Sequence, residues 1–202
     1  MAYKDEGKAS LKVILVGSSG VGKTSLISAF FDNPFENQEL STVAPASCTA
    51  TITLDDGAKV NLQIWDTAGQ EKFQSISQMF YRDSNVAFVC YDHERDNTIE
   101  EWVNRVRNSV PECKIFLVTT KSDLLTQEQQ TECVEKGNEY LQRYGACIHL
   151  LTSACSGFGV KELFQEAAKY YNEINSTVTE KKNTIDINDK NNNQGAGGKK
   201  CC

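Results

Sequence analysis

The sequence predicts an α/β fold with a six-stranded, mostly parallel sheet, one antiparallel edge strand and helices on both faces. Short apolar runs alternate with longer amphipathic stretches, which is typical of parallel strands joined by helices. An early pair of alternating strands around a tight turn adds the antiparallel edge. A glycine-rich segment between the first strand and the first helix indicates a phosphate-binding loop.

The elements are assigned from their periodicity and their end signals. The six predicted strands are residues 11–16, 49–54, 59–64, 86–91, 114–119 and 147–151. The four predicted helices are residues 25–31, 98–109, 127–143 and 160–172. Capping boxes are predicted at Asn97 with Glu100 and at Thr126 with Gln129. Residues 32–48 follow neither period, and a loop of that length beside a phosphate loop is expected to be functional.

The phosphate loop is the segment from Gly17 to Thr24, which reads Gly-Ser-Ser-Gly-Val-Gly-Lys-Thr. Its glycines allow successive backbone N–H groups to curl around an anion at the positive end of the following helix. Lys23 adds a charge, and the Thr24 hydroxyl suits magnesium. The alternative is a glycine-rich turn that arose by chance.

Other polar residues follow the strands and should meet the phosphate loop at one edge of the sheet. Asp66 closes a strand and suits magnesium, whereas the alternative is a simple strand-end cap. Residues 121–123 and 152–155 follow the fifth and sixth strands. Ligands of open α/β sheets bind at the carboxyl ends of the strands, so these segments predict one crevice.

Trp65 lies one step out of phase with the buried side of its strand. It should therefore lean toward solvent as part of a partner surface, or else be covered by the next loop. His93 and His149 have no carboxylate or cysteine pattern around them, and we interpret both as structural.

Composition narrows the class of protein. The formal net charge of −6 argues against nucleic-acid binding, and no apolar run is long enough to span a bilayer. Six of the eight cysteines are scattered through apolar or helical stretches, which favours reduced thiols. The other two, Cys201 and Cys202, end the chain.

Taken together, these motifs resemble the Rab family within the Ras superfamily of small GTPases. The resemblance covers about residues 10–173. It rests on the phosphate loop, Thr42, the segment from Trp65 to Glu71, the segment from Thr120 to Asp123, the segment from Thr152 to Ala154, and the terminal cysteines. It implies a P-loop NTPase G domain at 10–173, a flexible N-terminus at 1–9 and a disordered tail at 174–202.

The resemblance also implies a role for each matching residue. The phosphates would be bound by Ser19, Gly20, Val21, Gly22, Lys23, Thr24, Ser25, Thr42 and Gly69. Guanine would be bound by Phe35, Thr120, Lys121, Asp123, Ser153, Ala154 and Cys155. Mg²⁺ would be held by Thr24, Thr42 and Asp66, and Gln70 would orient the attacking water. Cys201 and Cys202 would carry geranylgeranyl groups that anchor the protein to the cytoplasmic face of an endomembrane.

Three departures from the family pattern affect these expectations. Thr120 stands where most members have Asn, and guanine binding is expected to survive the change. Cys155 replaces a lysine at a position where the neighbouring contact is through backbone. Ser47 replaces a phenylalanine of an effector surface shared with Trp65 and Phe80, so the usual effectors cannot be assumed.

The predicted function is a GTPase switch in vesicular transport that hydrolyses GTP slowly. No lysine or arginine lies between Lys23 and Lys59, and the first arginine is Arg82, so we expect an activating protein to be needed. The resemblance implies effectors, an exchange factor, a prenylation escort and a GDP-dissociation inhibitor. Two alternatives are a GTP-holding scaffold that barely hydrolyses and an ATP-using kinase with the same phosphate loop.

Overall fold

The computed structural model describes residues 10–35, 46–66 and 80–172, and within them six strands form one sheet. The strands are β1 Ser10–Val16, β2 Ala46–Thr53, β3 Lys59–Asp66, β4 Val86–Tyr91, β5 Lys114–Thr119 and β6 Ile148–Leu151. Their order across the sheet is β2-β3-β1-β4-β5-β6. Only the β2–β3 pair is antiparallel among the five pairs of this sheet, which confirms the predicted fold class.

Four helices begin within the described residues. They are α1 Lys23–Phe30, α2 Ile99–Ser109, α3 Gln127–Tyr144 and α4 at residues 160–172. Two 3₁₀ helices, His93–Thr98 and Ser122–Leu124, follow β4 and β5. Within the described ranges, no helix combines the length and the apolar character that crossing a membrane requires.

The sheet buries both faces, which is why its central strands are continuous apolar runs. Along β1, Val13 and Leu15 belong to the same apolar cluster as Phe164 of α4. Ile14, which points to the opposite face, belongs to a second cluster with Val106 of α2. Successive side chains of a strand alternate between faces, so one strand supplies both cores and helices cover the two sides of the sheet.

The largest difference from prediction is the length of the hairpin. Strand β2 begins at Ala46 rather than residue 49, and β3 continues to Asp66 rather than ending at residue 64. The added pairs are Ala46 with Asp66, Ser47 with Trp65 and Cys48 with Ile64. Small and polar residues at 46–48 give no clear apolar alternation, so this pairing depends on the partner strand and not on a local pattern.

One predicted capping box is confirmed and the other is wrong. The Gln129 N–H donates to Thr126 Oγ1 at 3.3 Å, and the Thr126 N–H donates to Gln129 Oε1 at 2.9 Å. At the start of α2, however, the N-cap is Thr98 and no side chain caps the helix. The preceding residues already form a 3₁₀ helix, and Thr98 Oγ1 donates back to the Arg95 carbonyl at 2.8 Å.

The two histidines pack beside side chains of neighbouring elements. His149 Nε2 lies 2.9 Å from Thr119 Oγ1, and His93 Nδ1 lies 3.5 Å from Cys133 Sγ. The six cysteines of the described residues are all free thiols.

Candidate nucleotide-binding site

The phosphate loop leaves the end of β1 and enters α1, and its shape depends on glycine. Gly17 has a φ of 145°, and an added Cβ there would overlap the carbonyl of Cys90 on β4. Gly22 is the N-cap of α1 with a φ of 100°, and no side chain caps this helix. The first N–H groups of α1 are therefore not capped by a side chain at the positive end of the helix, where an anion would bind.

Lys23 places a positive charge against the inside of the loop. The side chain is 5% exposed, and its Nζ donates to the carbonyls of Gly17 at 2.9 Å and Ser18 at 3.0 Å. Burial lowers the pKa of this ammonium below its usual value, although nearby Cys90 and Asp66 oppose the shift. A bound phosphate would offset the cost of burying this cation.

Thr24 and Asp66 form a pair of oxygen ligands beside Lys23. Thr24 Oγ1 donates to Asp66 Oδ2 at 2.6 Å, and Asp66 is buried at the end of β3. The parallel register aligns Leu15 of β1 with Asp66, so the sheet itself sets this approach. Hydroxyl and carboxylate oxygens are the ligands that Mg²⁺ prefers, and the pair fits that ion. The third predicted ligand, Thr42, lies outside the described residues.

Six of the seven predicted guanine-binding residues follow β5 and β6, and the seventh, Phe35, follows α1. Asp123 Oδ1 accepts a hydrogen bond of 2.6 Å from Ser153 Oγ, and Ser153 Oγ accepts from the Ser156 N–H at 3.1 Å. Ser153 is fully buried whereas Asp123 is exposed, so a fixed hydroxyl orients a carboxylate that can still accept from a ligand. Ala154 is half-buried and Cys155 is exposed at the same edge.

Thr120 joins the guanine segment to the phosphate loop. Its Oγ1 lies 2.6 Å from the carbonyl of Val21 and 3.1 Å from that of Tyr91, and the residue is 4% exposed. A threonine at this position therefore holds the loop through its hydroxyl. Survival of guanine binding stays a prediction, and this contact gives it a physical basis.

The next residue, Lys121, adopts a left-handed conformation with a φ of 58°. Its Nζ lies 2.9 Å from Asp92 Oδ2, and the same carboxylate oxygen lies 3.0 Å from Arg95 Nη2. The other terminal nitrogen of that arginine, Nη1, donates to the carbonyl of Ser19 at 2.6 Å. Arg95 thus contacts the phosphate loop from the segment that follows β4.

Sequence reasoning missed this arginine. The expectation from sequence concerns arginine only as a source of an arginine finger, and it does not include the contact of Arg95 with the backbone of the phosphate loop at Ser19. The available signal was an arginine four residues beyond Tyr91, the last residue of an apolar strand. That strand had to be known as the neighbour of β1 before the signal could be used.

The three predicted effector-surface residues are neighbours in the structure. Ser47 is paired with Trp65 across the β2–β3 ladder, and the rings of Trp65 and Phe80 lie 5.4 Å apart. Trp65 is half-buried against the second apolar cluster, with Lys12 Nζ 5.1 Å from its ring centroid. The tryptophan is thus less exposed than its phase in the strand alone suggests. Its role in binding partners stays a prediction.

Five predicted site residues lie outside the residues that the structure describes. They are Thr42, Gly69, Gln70, Cys201 and Cys202. Phe35 is 43% exposed at the end of the first described range.

Comparison with known proteins identifies the family. Residues 12–173 match the model of the Ras family. GTP-binding protein ypt5 of Schizosaccharomyces pombe is 38% identical over 165 residues, which is 78% of this chain and 76% of that protein. Human Ras-related protein Rab-15 is 37% identical over 158 residues, covering 76% and 72% of the two chains. Mouse Ras-related protein Rab-21 is 34% identical over 164 residues, covering 79% and 72%.

The matched region contains every strand and helix that supplies a side chain to the crevice described above. Common descent therefore explains why the phosphate loop, the strand-end aspartate and the guanine segment follow one another in this order along the chain. The chain belongs to the Ras family of small GTPases, enzymes that hydrolyse GTP.

Proposed function

We propose that this chain is a Rab-type switch in intracellular membrane traffic, which binds partners according to whether GTP or GDP occupies its site. The observation that carries the proposal is that three groups lie together at the carboxyl ends of the strands. These groups are the phosphate loop, the Thr24–Asp66 pair and the Asp123–Ser153 pair. The names of the relatives, among them Rab-15 and Rab-21, support the trafficking role.

The proposed binding mode assigns the triphosphate to the loop and the base to the strand ends beyond it. Asp123 would accept from the N1 and N2 hydrogens of guanine. Adenine offers no such pair of donors, which would leave the carboxylate unpaired. Mg²⁺, held by Thr24 and Asp66 together with Thr42, would supply positive charge to the β- and γ-phosphates.

Selectivity for guanine is the first test of this binding mode. Purified protein freed of nucleotide should bind labelled GDP in the presence of Mg²⁺, and unlabelled GTP should compete while ATP should not. Competition by ATP at equal concentration would instead favour the kinase alternative. Asp123→Ala should abolish the preference, whereas Asp55→Ala, in the turn of the distant hairpin, should leave it intact.

We further propose that hydrolysis is slow without an activating protein. Arg95 does not remove this expectation, because its guanidinium already contacts the Ser19 carbonyl and Asp92. An arginine finger in the transition state contributes roughly 10³ to 10⁵ in rate. Single-turnover hydrolysis of bound GTP should therefore be slow alone and fast with a suitable activating protein. Fast turnover by the protein alone would refute this part.

Nucleotide content distinguishes the switch from a scaffold that only holds GTP. Protein isolated from cells should carry mainly GDP if it hydrolyses what it binds. A preparation that carries mainly GTP would favour the scaffold.

Membrane attachment through Cys201 and Cys202 completes the proposal. A terminal Cys-Cys in a chain that resembles the Rab family suggests two geranylgeranyl groups, and two lipids meet the requirement for stable anchoring. Mass spectrometry of the C-terminal peptide from eukaryotic cells should find both thiols prenylated. Unmodified cysteines on protein recovered from membranes would contradict this mode of attachment.

A further inference from the structure

We propose that Arg95 is a positioning residue for the nucleotide phosphates, because it fixes the orientation of the peptide between Ser19 and Gly20. This inference rests on the proposed function in that it takes the loop to bind the phosphates of GDP and GTP. Arg95 lies outside the loop and acts through backbone, so it is not a catalytic residue.

The contact with Arg95 determines which way the peptide unit between Ser19 and Gly20 faces. Arg95 Nη1 donates to the Ser19 carbonyl at 2.6 Å, and an added Cβ on Gly20 would lie 3.8 Å from the same nitrogen. In a trans peptide the carbonyl and the following N–H point in opposite directions. Holding the Ser19 carbonyl toward Arg95 therefore turns the Gly20 N–H away from the arginine, toward the side where the loop would bind an anion.

Three other carbonyls of the loop also accept hydrogen bonds from side chains. Lys23 Nζ donates to the carbonyls of Gly17 and Ser18, and Thr120 Oγ1 donates to that of Val21. Arg95 supplies the corresponding donor at Ser19. A loop in which these four carbonyls are already hydrogen-bonded can direct N–H groups at a phosphate without reorganising.

Asp92 connects this contact with the guanine segment. The side chain of Asp92 is 9% exposed, and its Oδ2 lies 3.0 Å from Arg95 Nη2 and 2.9 Å from Lys121 Nζ. Arg95 therefore spans from the phosphate loop to the carboxylate that holds a predicted guanine-binding lysine. Its charge is also felt inside the loop, since it contributes to the lowered pKa of Lys23.

Removing the guanidinium should weaken binding of the phosphates. A hydrogen bond to a charged group contributes more than a neutral one, but Arg95 is partly exposed and the effect is reduced by solvent. We expect Arg95→Gln to release GDP roughly 3- to 10-fold faster than the wild type. Arg95→Lys should be intermediate, because an ammonium cannot reproduce the two-pronged contact with the Ser19 carbonyl and Asp92.

The experiment measures dissociation of fluorescently labelled GDP in excess Mg²⁺ for wild type, Arg95→Gln, Arg95→Lys and a control. Arg143→Gln serves as the control, because this exposed arginine pairs with Glu100 on the outer surface and should leave the rate unchanged. The ³¹P resonances of bound GDP are recorded for each protein. They should shift in Arg95→Gln, whereas a purely structural loss of stability would leave them in place.

The outcomes distinguish a failure of the inference about Arg95 from a failure of the proposed nucleotide site. If Arg95→Gln releases GDP within twofold of the wild-type rate and leaves the ³¹P resonances unchanged, Arg95 does not position the phosphates. If Arg95→Gln does not fold, the same two measurements on Arg95→Lys decide the question. Wild-type protein that binds no GDP would refute the proposed nucleotide site itself.

Discussion

Lowering the pH should reveal a histidine that stays neutral in the folded protein. His149 on β6 is half-buried, with Nε2 2.9 Å from Thr119 Oγ1 and its ring stacked near Tyr91 at a centroid distance of 6.4 Å. Burial lowers its pKa from 6.5 to about 4. Thr119 immediately precedes the guanine segment, so the state of this histidine reports on the packing beneath the nucleotide site.

The sign and the size of the effect follow from this shift. Above pH 6.5 the side chain is neutral in both the folded and the unfolded protein, and it adds no pH dependence. Between pH 6.5 and about 4 the unfolded chain binds a proton that the folded protein does not, so acid lowers the free energy of unfolding. Going from pH 7 to pH 5 should cost about 2 kcal/mol through this one residue.

Proton NMR can test the pKa directly, because the chain contains only two histidines. One imidazole resonance should titrate with a midpoint below pH 5, and it should disappear in His149→Gln and remain in His93→Gln. The free energy of unfolding of His149→Gln should then fall less between pH 7 and pH 5 than that of the wild type, by about 2 kcal/mol. Two midpoints near 6.5 would refute the reasoning, as would equal pH dependence in the two proteins.

Three further predictions concern residues beside His149 or in the guanine-binding segments. Gly137→Ala should lower the free energy of unfolding by about 1–3 kcal/mol, because the new Cβ would overlap the His149 ring. The thermal midpoint should recover when His149→Ala is added. Thr120→Val leaves the Val21 carbonyl without its buried hydroxyl donor and should speed release of labelled GDP by roughly tenfold, whereas Thr120→Ser should not. Cys155 is exposed beside the guanine segment, so peptide mapping should find its alkylation slowed by saturating GDP; equal labelling with and without nucleotide would contradict the assigned site.

The central part of the fold could be predicted because its signals are local. Strands β4 and β5 match their predicted bounds, 86–91 and 114–119, since each is an apolar run buried on both faces and ends at polar residues. The same holds for the start of α3, where Thr126 and Gln129 satisfy each other's backbone. In these segments the side-chain pattern alone determines the structure.

The prediction errors occur where contacts with neighbouring elements determine the local structure. Asn97 has the spacing of a cap, but residues 93–98 had already entered a 3₁₀ helix, so the capping position moved to Thr98. Ala46 and Ser47 carry no strand pattern and are nevertheless paired, because β3 continues beside them to Asp66. Tertiary pairing overrides weak local preference at such positions.

The contacts that shape the phosphate loop depend on the order of strands in the sheet. β1 lies beside β4, and β4 lies beside β5, so the segments that follow these strands reach the loop from one side. Arg95 arrives after β4 and Thr120 after β5, and they bind the carbonyls of Ser19 and Val21. These contacts join residues 76 and 99 positions apart along the chain. A glycine-rich motif can therefore predict that a loop binds phosphate, whereas the donors that hold its backbone in the binding conformation follow only from the assembled sheet.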